Sequence, residues 1–255
     1  MAGNPWTREE IIIAYALYCV TPLKKINIRN PLIRNAAEKI NHSISSLVMR
    51  MRNFMAIDPD SKEKGCAHVA KTDITIFEEF RHDWYTLSLK AEEYLGFELF
   101  SDDGIFAPLR GSKPISSITE RSKVNKERAI FRDSVRATYE CKCCITQIAI
   151  PELLIASHIR DYSKCAQNQR VEPTNGLLLN TFHDKLFDKG LITVLPDYTI
   201  KLSETLKNQA SPNNEFAARW IYGIEGTTID IPKRFKPDAE YLKWHNQEKF
   251  ARWNK

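Results

Sequence analysis

The order of apolar and polar positions divides the first hundred residues into helices. Thr7-Arg8-Glu9-Glu10 has the form of a capping box, in which Thr7 caps a backbone N–H and Glu10 reaches back. The residues after it are apolar on most sides, so the spacing predicts a buried helix to about Val20. Asn30-Pro31 marks a second start, with proline at the first helical position and Leu32, Ile33, Ala36, Ala37 and Ile40 as the apolar face. Asn41-His42-Ser43 interrupts the pattern, and Ser43 caps a third predicted helix through Phe54, with Ile44, Leu47, Val48 and Met51 in its core row. Asp73 to Leu95 reads as one or two more helices with Phe77, Phe80, Trp84, Leu87 and Tyr94 as core.

Periodicity then fails. Residues 101–125 are rich in Ser, Gly, Pro and charge and read as a linker. A helix is predicted from Lys126 to about Tyr139, with Phe131, Val135 and Tyr139 at every fourth position. Short extended segments come next, around Cys144 to Thr146 and Leu153 to His158, with a strand pair at Leu191 to Leu195 and Tyr198 to Leu202 around Pro196-Asp197. Trp220, Trp244 and Trp253 are too many large rings for a free tail, so Asp238 to Arg252 is expected to be a helix docked on the second domain, where Trp244 or His245 packs. The division is thus 1–100 helical, 101–125 linker and 126–255 mixed: an α+β chain.

Composition narrows the setting. With 255 residues, 43% of them hydrophobic, the chain can bury one large core or two modest ones. The apolar run Ile11 to Val20 is too short to span a bilayer and comes after acids at Glu9 and Glu10, so a soluble cytoplasmic protein is expected. Six cysteines are too sparse and uneven for a disulfide framework. Cys141 and Cys144 have the gap of a zinc half-site, but only Cys165 comes after them, and no structural zinc is expected.

The net charge of +5 is unevenly spread. Between Ile11 and Ile57 stand seven bases (Lys24, Lys25, Arg29, Arg34, Lys39, Arg50, Arg52) against one acid, Glu38. Two short helices joined by a three-residue turn, the second carrying Ser45, Ser46, Met49, Arg50 and Arg52 off its core face, have a helix-turn-helix shape that fits a major groove. The near absence of acids favours a phosphate backbone as partner, with Lys24, Lys25, Arg29, Ser45, Arg50 and Arg52 as candidate contacts. The same pattern also describes a helical bundle with a solvated basic face.

The candidate chemistry lies in residues 157–190, SHIRDYSKCAQNQRVEPTNGLLLNTFHDKLFDKG. His158 ends an apolar strand-like run, His183 sits in a helix-like segment that stops at Gly190, and a loop of roughly fifteen residues with the stretch NGLLL separates them. Phosphodiester hydrolysis needs a base for water and a cation at the leaving group, and a neutral imidazole suits the first task.

Here the residues resemble the HNH endonucleases, whose fold is the ββα-metal unit: "ASHI", "NGLLL" and "FHDKLFDKGLI" look like the parts of their signature and "YECKCCITQ" like its lead-in, over about residues 126–205. The resemblance implies His158 as general base, Asn175 bracing the loop and orienting the His158 ring, and His183 holding a divalent ion, Mg²⁺ before Mn²⁺ or another. Where many members have Asp or His before the base, this chain has Ser157, a weak ligand. The resemblance therefore leaves Asp161, Asp184 or water to complete the shell, with Asp184, about 100° from His183 on a helix, the weaker candidate. Arg160 and Lys185 are candidates for phosphate, and Asp188 for a helix-end ion pair. His42, His68, His82 and His245 are read as hydrogen-bonded structural residues.

Residues and resemblance together imply a metal-dependent endonuclease acting on double-stranded DNA, leaving 5′-phosphate and 3′-hydroxyl ends, in restriction or defence. A homodimer is expected, since one site cuts one strand. Two readings stand beside it: a DNA-binding regulator with a decayed nuclease domain, and a nonspecific effector nuclease.

Overall fold

The computed structural model describes residues 5–61, 69–100 and 120–253, with side chains omitted at 120–122. The chain is α+β, helical in its N-terminal part. It forms two compact units, one of residues 1–140, 166–172 and 233–235, the other of 141–165, 173–232 and 236–255. Most of the predicted linker lies outside the described residues, as do His68 and Cys66.

The first unit is built from α1 (Arg8–Val20), α2 (Pro31–Lys39), α3 (Ile44–Ile57), α4 (Lys71–Phe80), α5 (Trp84–Leu95), α6 (Glu120–Thr138) and the short α7 (Gln167–Val171). Local chemistry sets their ends. The Thr7–Glu10 capping box forms, Asn30 caps α2 through the Leu32 and Ile33 N–H groups, and Ser43 caps α3. Helix α1 is buried from Ile11 to Val20 at the centre of the core, as an all-round apolar helix must be. Helix α6 starts six residues before the expected Lys126, and its Ala129 and Ile130 join this same core. Tyr94, expected in the core, is 43% exposed: α5 buries Trp84, Leu87, Ser88, Ala91 and Leu95, which leaves Tyr94 on its edge.

Arg234 is a buried guanidinium in this unit. It donates to the Tyr18 and Thr21 carbonyls and lies over the Tyr18 and Phe235 rings, while Tyr18 Oη donates to Asp58 at 2.8 Å. Its charge is thus met by two carbonyl dipoles and two ring faces.

The second unit holds two small antiparallel pairs. Strands β1 (Leu154–His158) and β2 (Gly176–Asn180) pair from Leu154↔Asn180 to His158↔Gly176, and helix α8 (Thr181–Asp188) comes directly after β2. Strands β3 (Ile192–Val194) and β4 (Ile200–Leu202) form the expected hairpin. The short helices α9 (Glu204–Gln209) and α10 (Glu215–Trp220) precede α11 (Ala239–Glu248). His245 on α11 stacks on Phe187 at 3.8 Å and donates to the Phe187 carbonyl at 2.9 Å. The segment at Cys144–Thr146 is a turn, not a strand, because Gln147 N–H closes on the Cys143 carbonyl at 2.9 Å and Gln147 takes a left-handed φ of 59°.

No helix among the described residues is long and apolar enough to cross a membrane.

Candidate active site

The β1–β2 register places His158 opposite Gly176 at the open end of the pair. Leu177, Leu178 and Leu179 are fully buried and anchor β2, while His158 keeps partial access to solvent, its ring edge-on to Tyr162 at 5.9 Å.

Asn175 is buried without exposure immediately before β2. Its Oδ1 accepts from Arg160 N–H at 2.8 Å, its Nδ2 donates to the Arg160 carbonyl at 3.4 Å and to Cys165 Sγ at 3.3 Å, and its own carbonyl accepts from Ile159 N–H at 2.9 Å. The amide clips the main chain as it leaves His158, satisfying polar groups that burial would otherwise orphan.

Helix α8 sorts its side chains onto two faces. Asn180 caps it through His183 N–H, and His183, Leu186 and Phe187 turn inward. Asp184 and Asp188, one turn apart, share the other face. Ser157, 7% exposed, hydrogen-bonds the Asp184 carboxylate, so the residue before His158 is tied to α8 by an acid and not by the histidine. Burial raises the Asp184 pKa above the usual aspartate value and Asp188 adds to this, while Ser157, Lys185 and Lys249 oppose it.

His183 is placed otherwise than the resemblance implies. Its ring has no solvent exposure; Nε2 lies 2.9 Å from the Trp220 carbonyl and Nδ1 lies 3.0 Å from Asn180 Nδ2, which also donates to Thr146 Oγ1 at 3.1 Å. A carbonyl can only accept and an amide NH₂ can only donate, so the ring is neutral with its proton on Nε2 and both nitrogens are engaged. Cys143 stands beside it, accepting from Asn180 N–H at 3.3 Å. Burial pushes the Cys143 thiol up, but hydrogen bonds with His183, Thr146 and backbone N–H groups outweigh it and bring the pKa down to about 7.

Asp161 pairs with Lys249 Nζ at 2.7 Å, and the same ammonium is 3.5 Å from Asp188. Arg160 packs its guanidinium near the Tyr241 and Trp244 rings at 5.5 and 5.9 Å; its Nε is buried without a hydrogen-bond partner, and no carboxylate among the described residues stands within ion-pair distance of it. Among the described residues no three His, Cys, Asp or Glu side chains stand together as a metal cage. A hard divalent ion held by one or two carboxylates, with water and substrate phosphate for the rest, needs no such cage, and Asp184 supplies a donor of that kind.

Of the candidates in the first unit, Lys24, Lys25, Arg29, Ser45 and Arg52 are exposed. Arg50 is not available in the same way: it is ion-paired to the fully buried Asp73, which also accepts from Asn53 at 2.7 Å, and its guanidinium lies over Trp6 at 4.5 Å. Among the other histidines, His42 stacks on Trp6 and lies 3.1 Å from Glu10, whereas His82 is 67% exposed beside Glu172 and is no core residue. Sequence reasoning gave no part to Lys249, and no local signal connects it to Asp161 or Asp188.

No curated protein matches the chain. Residues 143–195 match a family model described as HNH endonuclease, a stretch that runs from Cys143 through β1, Asn175, β2 and α8 to β3. That stretch is thus similar to HNH endonucleases, and the match supports a nuclease of that kind for this part of the chain.

Proposed function

We propose that the chain is a metal-dependent DNA endonuclease whose site lies between the end of β1 and the outer face of α8. The observation that carries this reading is the pairing of a solvent-reached imidazole, His158, with a carboxylate, Asp184, tied to the residue directly before it. His158 takes a proton from the attacking water. Asn175 fixes the main chain behind His158, so the ring meets the phosphate from one direction. Asp184, oriented by Ser157, holds the divalent ion, with Mg²⁺ or Mn²⁺ suited to an oxygen donor set. When bound, that ion supplies charge stabilisation at the scissile phosphate and the leaving 3′ oxygen. Arg160, stacked on aromatic rings and without an ion-paired acid, receives a nonbridging phosphate oxygen. Products are 5′-phosphate and 3′-hydroxyl ends.

His183 takes a supporting part in this scheme, because its nitrogens already hold Trp220 and Asn180. The exposed bases Lys24, Lys25, Arg29 and Arg52, with Ser45, are assigned to the DNA backbone, and Arg50 to holding α3 on α4. Restriction or defence is the setting proposed, with two copies of the chain needed for a concerted double-strand cut.

Supercoiled plasmid with Mg²⁺ or Mn²⁺ tests the reading. Wild type nicks or linearises it, while His158→Ala and Asp184→Asn retain duplex binding and lose cutting. The burial of His183 favours one second reading, a DNA-binding regulator with a decayed nuclease domain, which requires intact binding and no cutting under any divalent ion.

A further inference from the structure

Lys249 comes just after α11 at the far end of the second unit, 54 residues beyond the last position of the family match, residue 195. Its side chain is only 11% exposed. The ammonium touches Asp161, three residues past His158, and reaches Asp188, one turn past Asp184 on α8. Lys189 lies farther from Asp188, at 3.8 Å, and is 56% exposed.

The main chain of Lys249 is fixed as well. Gly190, with a φ of +72°, lets the backbone of Lys249 come so close that a Cβ at 190 would stand 2.8 Å from its carbonyl carbon and oxygen. Trp253 Nε1 donates to the Lys189 carbonyl at 2.6 Å, a second tie between this segment and the end of α8. A surface ion pair contributes little, but here one half-enclosed ammonium joins the loop behind the proposed base to the helix that carries the proposed metal ligand.

We propose that Lys249 is a positioning residue of the nuclease site, a built-in cation that holds Asp161 and Asp188 and keeps the acidic face of α8 approachable by a phosphodiester. The inference rests on the nuclease reading above and deepens it. Its physical content is a pair of opposite signs. Without the ammonium, two aspartates lose their counter-charge, so a divalent cation is drawn in more strongly and a polyanion is repelled. A merely structural pin, once lost, loosens both kinds of binding.

The test uses the full chain without turnover. Mn²⁺ binding is measured by electron paramagnetic resonance, and duplex binding by fluorescence anisotropy in EDTA, for wild type, Lys249→Met and Lys249→Arg. For Lys249→Met, Mn²⁺ binding is expected to tighten by roughly tenfold and duplex binding to weaken several-fold, while Lys249→Arg stays near wild type. Circular dichroism verifies folding, and Lys249→Gln carries the comparison if the methionine variant unfolds. Mn²⁺ binding that is unchanged or weaker in the folded variant overturns the inference, while wild-type plasmid cleavage leaves the nuclease reading in place. A wild type that neither binds Mn²⁺ nor cuts DNA overturns both.

Discussion

Replacing His183 by alanine separates a supporting imidazole from a metal-ligating one. The ring is fully buried, with 2.9 Å and 3.0 Å hydrogen bonds to the Trp220 carbonyl and the Asn180 amide and aromatic neighbours at Phe182 and Trp220. Truncation strands a carbonyl and an amide, at about 1–3 kcal/mol each, before any cavity cost is added. A total of about 3–5 kcal/mol is a large part of the roughly 5–15 kcal/mol that holds a typical domain together. At about 2–4 °C per kcal/mol for a chain of this size class, the melting transition is expected to fall by roughly 10 °C, without added metal. Scanning fluorimetry with and without Mn²⁺, beside electron paramagnetic resonance of bound Mn²⁺ on protein kept well below its transition, reads both quantities. A variant that melts like wild type but no longer binds Mn²⁺ would refute the reasoning and return His183 to the metal.

The same geometry fixes other outcomes. Asp184→Asn is expected to lower Mn²⁺ affinity at least about tenfold, whereas Asp161→Asn, whose carboxylate is already paired with Lys249, changes it less; titration of the two variants side by side checks the order. Because burial raises the Asp184 pKa, protons compete for that carboxylate at a higher pH than for an ordinary aspartate, so Mn²⁺ binding is expected to weaken on acidification before the usual aspartate range, and Asp184→Asn to remove that step. Burial lowers the His245 pKa from 6.5 to about 4, so the unfolded chain binds the extra proton first: stability is complete above pH 6.5 and falls by about 3 kcal/mol as pH drops towards 4, which chemical denaturation of wild type against His245→Gln measures. Arg50→Ala is expected to destabilise the helical unit by about 3 kcal/mol by leaving buried Asp73 without its cation, while Arg52→Ala weakens duplex binding and lowers its salt dependence without changing the melt.

The starts of the first three helices were readable because their causes are local, whereas the start of α6 lies six residues before the expected Lys126. Thr7, Asn30 and Ser43 each bond N–H groups within three residues, and the β1 and α8 segments announce themselves by an apolar run and a terminal glycine. Which way a side chain faces was not readable where the deciding partner is remote. His183 and Asp184 are neighbours on an eight-residue helix, and what turns the imidazole inward is a carbonyl 37 residues later. Arg50 was placed among the DNA contacts because the acid that holds it, Asp73, stands 23 residues away on another helix. Ser157 looked like the loss of a ligand, yet its hydroxyl pairs with Asp184, a relation between strand and helix that no spacing rule contains.

Arg234 carries a consequence for how such a chain can be cut and recombined. It belongs to residues 233–235, which, like 166–172, fold with the helices of the first unit although the chain on either side of each stretch belongs to the second. A fragment that begins after residue 140 would therefore not be a self-sufficient unit: the Arg234 guanidinium would lose the Tyr18 and Thr21 carbonyls and the Tyr18 ring face that offset its burial. The two units are interleaved along the sequence, so no single cut in the chain separates them.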